Sequence, residues 1–496
     1  MTDFNAWQRL ASQQTLSQAA WIDGRPCTAL SGATFAVINP ATNALLADVS
    51  ACAEADVDAA VRVARKSYES GPWARMQPRE RKAILLRLSE LILAHREELA
   101  LLDSLSMGKP VMDAYSIDVP GAAHVFAWYA ESLDKLYDQV APTGPGTLAT
   151  ITRVPLGVIA AVVPWNFPLD MAAWKLAPAL AAGNSVILKP AEQSPFSALR
   201  LAELAAEAGI PAGVFNVVTG LGEQAGRALG LHPDVDALAF TGSTEVGKCF
   251  MNYSAQSNLK QVWLECGGKS PNLVFADCQD LDLAAEKAAF GIFFNQGEVC
   301  SANSRLLVER SIHDEFVERL QDKARHWQPG DPLDPASRMG AIVDARQTAR
   351  VMAYIDEAAS SGARLVAGGE QVVINGSSNF IQPTLFTGVG HDMRLSREEV
   401  FGPVLAITPF DDEDQAVQMA NDHIYGLAAS LWSDDLNRAH RVASRLNAGT
   451  VSVNTVDALD VCVPFGGGKQ SGFGRDLSLH SFDKYTQLKT TWFQLR

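Results

Sequence analysis

From Leu156 onward the sequence alternates short apolar runs with helix-like stretches. Val158 to Val163 is one such run and Ser185 to Leu188 the next, followed by Phe215 to Val218, Ala237 to Phe240 and Gln261 to Leu264. Strands that read as continuous apolar runs, with helical segments between them, belong to parallel sheets covered on both faces. The rhythm resumes after Cys300 at Arg305 to Val308, Val404 to Thr408, Ala428 to Trp432 and Thr450 to Val453. Two α/β domains are expected, with the chemistry between them. Upstream, Val57, Ala60, Val61, Ala64 and Tyr68 share one helix face. A second helix is predicted from Pro78 toward Gly108, and a third from His124 to Leu136. Ser194-Pro195 is predicted to cap a helix ending at Gly209.

A chain of 496 residues exceeds what one core comfortably serves, so two or three domains are expected. A net charge of −15 with no basic run argues against a nucleic-acid partner. The 7 cysteines are an odd number without a C-x-x-C pair, which argues against a disulfide framework or a bound metal and for a reducing compartment. Met1 to Ala20 lacks the charged-then-apolar pattern of a signal peptide. The most apolar stretch, Leu156 to Leu188, is interrupted by Pro164, Asp170, Lys175 and Pro178, so no membrane span is expected. A cytoplasmic protein is the plain reading. Thr147 to Val154 and Tyr485 to Leu495 fit neither domain, and an exposed strand at a chain end invites pairing with another subunit. A tail folded onto its own domain is the alternative.

Two segments carry the chemistry. Phe294-Asn295-Gln296-Gly297-Glu298-Val299-Cys300 offers a thiol beside a glycine turn. Val262-Trp263-Leu264-Glu265-Cys266-Gly267-Gly268-Lys269 offers a carboxylate ending an apolar strand. Nucleophilic cysteine chemistry with a separate base needs those two parts. Gly220, Gly222 and Gly226 form a weak glycine string after a strand, and Gly242-Ser243-Thr244 is the stronger phosphate candidate at a strand-to-helix junction. With Pro164-Trp165-Asn166-Phe167-Pro168, Phe240 to Gly247 and Glu399-Val400-Phe401-Gly402-Pro403-Val404, these motifs resemble the NAD(P)-dependent, non-acylating aldehyde dehydrogenase superfamily. The resemblance runs roughly from Phe35 to the last residues. It implies two Rossmann-like parallel-sheet domains and a β-strand oligomerisation arm. Residues 1–136 and 158–266 would bind NAD, 267–464 would form the catalytic domain, and 137–157 with 476–496 the arm of a homodimer or homotetramer.

By the same resemblance Cys300 is the nucleophile, Asn166 and the Cys300 N–H hold the oxyanion, and Glu265 activates the water that releases a free acid. Burial at the end of its strand is expected to raise the Glu265 pKa toward neutrality. Cys266, next to it, is expected to point into the fold. Lys175 and Asp476 resemble a proton-relay pair. Trp165, Phe240, Gly242, Ser243 and Gly267 fall at cofactor positions, together with Gly222 and Gly226. Lys189 and Glu192 match the residues on the adenosine ribose. A carboxylate there repels a 2′-phosphate, so NAD is expected over NADP. Glu399 and Phe401 match those at the nicotinamide ribose.

The branch that resembles it most is a bacterial group oxidising ω-amino and γ-glutamylamino aldehydes, matched at Phe126 to Glu131, Arg475 to His480 and Phe482 to Thr486. Expected pocket walls are Phe167, Met171, Trp174, Phe294, Val299, Ser301, Leu459 and Phe465. Asp457 and Asp460 are candidates for meeting a cationic amine. Val456, Leu459, Val461 and Cys462 make that loop more apolar than such a substrate needs, which also fits an aromatic or indolic aldehyde. Two readings of other classes stay open, a non-catalytic NAD-binding structural protein and a cofactor-free thiol esterase.

Overall fold

The computed structural model describes residues 3–495; residues 1, 2 and 496, at the ends of two ranges expected above, lie outside them. The first large sheet runs in the order Arg25–Cys27, Ala20–Ile22, Phe215–Val217, Ser185–Lys189, Val158–Val162, Ala237–Gly242, Gln261–Cys266 and Gly472–Phe473. Its five central strands are parallel. Alternate residues face opposite cores, as the strand period requires. Ile159 and Ala161 pack under Leu85, Leu88, Phe126 and Leu176, whereas Val158, Ala160 and Val162 pack under Val57, Val61 and Leu238. Both faces are dry, which is why these strands read as unbroken apolar runs.

The second large sheet has the order Arg364–Ala367, Thr384–Thr387, Val404–Phe410, Arg305–Glu309, Pro271–Val274, Ala428–Trp432 and Thr450–Val453. It is parallel except at the Arg364–Ala367 edge. A third sheet joins the two orphan segments. Thr486–Gln494 runs antiparallel to Thr147–Pro155 from Thr486↔Pro155 to Gln494↔Thr147, and Gln139–Ala141 pairs on the other side. Asn184 fastens this sheet to the first, donating to Tyr485 O at 3.0 Å while its Oδ1 accepts from Gly157 N at 2.9 Å. Gly157 is obligatory there: its φ is +136°, and a Cβ would fall 2.1 Å from Asp236 Oδ2.

Several local expectations differ from the structure. The helix expected over 78–108 is two helices, Pro78–Ala94 and Arg96–Met107, broken at His95, whose ring meets Glu98 Oε2 at 2.8 Å. The third helix is Val119–Ser132, preceded by a π-helical turn at Ala114–Asp118. Ser194 does not cap Phe196–Ala208: Pro195 holds the cap position and the buried Ser194 hydroxyl has no partner. The Gly209 end is as expected, left-handed at φ 108°. Among the described residues no helix is long and apolar enough to cross a membrane, and no cluster of metal-ligating side chains occurs.

Candidate active site

The chain order fixes where a cleft can open. The first sheet is built outward from Val158–Val162 to Phe215–Val217, then crosses back to add Ala237–Gly242 on the other side. Loops leaving two adjacent strands in opposite directions leave a crevice outside their carboxyl ends. A cleft of ≈500 Å³ lies there, lined from the side of the first sheet by Trp165, Asn166, Gly242, Ser243 and Glu265. From the second it is lined by Val299, Cys300, Ser301, Glu399, Phe401 and Leu427, which precede the strands at Arg305, Val404 and Ala428. The carboxyl edge of one sheet therefore faces the amino edge of the other.

Cys300 is presented by a strained turn. Asn295, Gln296 and Gly297 are all left-handed, at φ 49°, 57° and 72°. Such a run costs non-glycine residues about 1–2 kcal/mol each, so other contacts must hold it. Asn295 Nδ2 donates to Asn166 O and Glu298 O, both at 3.1 Å. Gln296 Oε1 accepts from Gly340 N at 3.0 Å and Glu298 Oε1 from Val343 N at 3.1 Å. Gly297 has no room for a side chain, because a Cβ would fall 2.3 Å from Gly402 O. Asn166 Nδ2 spends one proton on Glu298 O at 2.8 Å, which leaves its second N–H for the cleft. Burial, then the carboxylates of Asp457, Glu399 and Glu265, push the partly buried Cys300 thiol far up.

Glu265 sits second from the end of Gln261–Cys266, paired with Gly472 on the sheet edge. It is 5 % exposed, and neither carboxylate oxygen has a hydrogen-bond partner. Burial, with help from Asp476, raises its pKa against the pull of Lys175 and Lys484. Gly466 makes room for it, since a Cβ there would come 2.6 Å from Glu265 Oε1. Asp476 binds Lys175 Nζ through one oxygen and Lys484 Nζ through the other, all three side chains being buried. Burial opposes its ionisation, but the two ammoniums outweigh that and hold its pKa low. Lys484 falls within the Phe482 to Thr486 match, which assigns it no role; only the fold of the C-terminal segment brings it here. Cys266 also lines the cleft, 3 % exposed, with its thiol against the Gly247 backbone.

Trp165 and Phe401 meet edge to face at 5.2 Å, and Phe401 is held left-handed at φ 59° by Gln347 Nε2 donating to its carbonyl at 2.7 Å. Phe167, Met171, Trp174, Phe294, Leu459 and Phe465 form the far wall, with Phe167 6.2 Å from Phe294 and Trp174 5.4 Å from Phe465. Asp457 lies inside the cleft, but its Oδ1 accepts from Ser301 Oγ at 2.6 Å. Asp460 does not line the cleft; it is exposed and caps Cys462 N at 2.9 Å. Sequence reasoning missed two other wall residues, Asp118 and Asp170. Asp170 was within reach, four residues before Trp174 on one helix; Asp118 depends on the π turn.

Lys189, Glu192, Gly222, Gly226 and Phe240 lie off this cleft. Lys189 Nζ donates to Glu192 Oε2 at 3.3 Å, and a Cβ on Gly226 would stand 4.0 Å from Lys189 Cδ. Phe240 turns into the core against Phe250 and under Gly242. Gly222 is exposed, with nothing near it.

A dinucleotide fits these residues. Ser243 is the N-cap of Thr244–Gln256 and accepts from Val246 N at 3.3 Å, so its hydroxyl proton stays free for a phosphate at the helix's positive end. Gly267 forms a cradle that a Cβ would fill, 2.1 Å from Glu399 Oε2, while Glu399 Oε1 accepts from Gly268 N at 3.0 Å. Burial pushes Glu399 up to about 7 against that bond.

A crevice whose residues fit a dinucleotide, opening onto a thiol, is what a dehydrogenase that works through a cysteine requires. Residues 28–491 match the aldehyde dehydrogenase family, and the chain belongs to it. The NADP/NAD-dependent aldehyde dehydrogenase PuuC of Escherichia coli is 52% identical over 99% of this chain and 98% of its own. Two solved structures, each covered 100% as is this chain, superpose closely. Indole-3-acetaldehyde dehydrogenase AldA of P. syringae, in complex with NAD+ and IAA, has a TM-score of 0.99 at 52% identity. Gamma-glutamyl-gamma-aminobutyraldehyde dehydrogenase of Burkholderia cenocepacia has a TM-score of 0.98 at 53% identity. This chain is an NAD(P)-dependent aldehyde dehydrogenase.

Proposed function

We propose that the chain oxidises an ω-amino or γ-glutamylamino aldehyde to the free carboxylic acid, with NAD preferred. The observation that carries the hydrolytic outcome is Glu265, a buried carboxylate with both oxygens unpartnered, in the same cleft as Cys300. Cys300 gives up its thiol proton to water in the cleft and attacks the aldehyde carbon as the thiolate, and the carbonyl oxygen takes up negative charge against the spare Asn166 N–H and the Cys300 backbone N–H. Ser243, Gly267 and Glu399 would hold NAD, which would supply the hydride acceptor. Loss of hydride leaves a thioester on Cys300. Glu265 then deprotonates a water for attack on that thioester, its raised pKa making it the stronger base. Asp476, between Lys175 and Lys484, offers the proton a charged route outward.

Glu265→Gln tests the assignment: a stoichiometric burst of NADH followed by a stall is expected. Loss of the burst itself moves Glu265 to thiol activation. One relative supports the substrate class, the B. cenocepacia enzyme, by its name and structure. The aromatic wall of Phe167, Trp174, Phe294 and Phe465, with the AldA likeness, favours a second reading as an indolic aldehyde dehydrogenase. A kcat/KM panel of amino, indolic and alkyl aldehydes, each with NAD and NADP, decides between them. We also infer a homodimer or homotetramer in the cytoplasm. Leu488 and Trp492 on the C-terminal strand are each 65 % exposed, and a second copy would cover them. A monomer by light scattering overturns that reading.

A further inference from the structure

Behind the aromatic wall lies a buried charge imbalance that the reaction does not use. Asp103, Asp113, Asp118 and Asp170 share one ammonium, Lys109, with Arg338 reaching only Asp113. Lys109 Nζ is bonded to Asp118 Oδ2 and lies 3.9 Å from the Phe167 ring centroid, so its charge is already committed. Asp103 turns inward, accepting from Leu169 N at 3.3 Å. Asp118 and Asp170 instead line the cleft that holds Cys300. Each keeps one buried oxygen, Oδ1, that accepts no hydrogen bond, and Asp118 is 2 % exposed. Asp170 Oδ1 lies beside Gly121, where the Cβ of an alanine would come within 3.3 Å of it. The π turn Ala114–Asp118, a type of bulge frequent at functional sites, delivers Asp118 to the wall.

We propose that Asp170, backed by Asp118, is the subsite for the ammonium end of the substrate, an ω-amino aldehyde whose carbonyl lies at Cys300. This rests on the amino-aldehyde reading above and names the residues that execute it. Excess buried carboxylate stays protonated until a cation arrives, and Asp170 is pushed up to about 8 by burial and then by Asp118. An alkyl aldehyde brings no cation and leaves the free oxygens unanswered. The aromatic rings carry the methylene chain, and the acid discriminates its tip.

The test is a ratio, insensitive to how much enzyme is folded. The kcat/KM for 3-aminopropionaldehyde is divided by that for butanal, its uncharged near-isostere, in the wild type, Asp170→Asn and Asp170→Leu. A wild-type ratio above one that falls roughly 10- to 100-fold in both variants is expected, the range for losing a hydrogen bond to a charged group. A ratio above one that survives both substitutions overturns the subsite and leaves the amino-aldehyde reading standing. A wild-type ratio at or below one removes the amino-aldehyde reading, and the subsite with it. If indole-3-acetaldehyde loses as much against butanal as the amine does, Asp170 is a general N–H acceptor and the cation subsite is overturned.

Discussion

Replacing Asn166 by alanine isolates the oxyanion contact, because its cost to the fold and its cost to catalysis separate cleanly. The amide carries two protons, and one already bonds Glu298 O at 2.8 Å. Glu298 O also accepts from Asn295 Nδ2 at 3.1 Å, and the Asn166 backbone carbonyl keeps its own bond from Asn295. The substitution therefore removes one net structural hydrogen bond, worth about 0.5–1.5 kcal/mol, without orphaning a buried carbonyl. The second proton faces the cleft, where one oxyanion donor is worth about 2.7–4 kcal/mol of transition-state stabilisation. That corresponds to roughly 100- to 1000-fold in the acylation rate. Stopped-flow NADH formation at saturating aldehyde and cofactor reads this step directly, with thermal unfolding as the fold control. A folded variant whose acylation slows less than tenfold refutes the reasoning, since the free N–H would then face something other than the developing charge.

Cys300→Ala is expected to abolish aldehyde oxidation while NAD still binds, measured by fluorescence titration; surviving turnover would mean the nucleophile is misassigned. Gly472→Ala should lower thermal stability and slow thioester hydrolysis, because a Cβ would fall 2.1 Å from Leu264 O beside the Glu265 strand, at a φ of +104°; unchanged melting and burst kinetics would count against it. Asp170 ionises near 3.8 when unfolded and near 8 when folded, so the folded state keeps a proton that the unfolded state has lost across that window. Stability is therefore lost as pH rises through it, and Asp170→Asn should raise the melting temperature more at pH 8 than at pH 5. An equal shift at both would argue that the carboxyl stays ionised in the fold.

Legibility in the sequence followed burial. Strands dry on both faces, such as Val158–Val162 and Ser185–Lys189, were visible because their apolar runs leave no other fate. The edge Gln371–Ile374 gives no such run, since every second residue faces water, and its partner Ser377–Ile381, though largely buried, begins on Ser-Ser-Asn rather than an apolar run. Cys300 and Glu265 were found through flanking motifs rather than through periodicity. Asp460 was a reasonable candidate by charge alone, yet an acid in an exposed loop satisfies itself on the nearest N–H, here that of Cys462. Asp118 and Asp170 were passed over because an aspartate in an apolar helix looks like an interruption; only the packing of helix Val119–Ser132 against Pro168–Ala182 brings them together. The role of Lys484 was silent for the same reason, since its partner is made by a turn and not by spacing.

The short strand Gly472–Phe473 closes the edge of the first sheet against Leu264 and Glu265. Roughly 200 residues of chain separate the two partners. On a ribosome adding about 5–20 residues per second, the strand bearing Glu265 waits roughly 10–40 s with an open edge after it emerges. An open edge is a template for pairing with other chains. The edge left open is the six-residue strand Gln261–Cys266, so synthesis speed and chaperone access during this interval bear on the yield of folded enzyme.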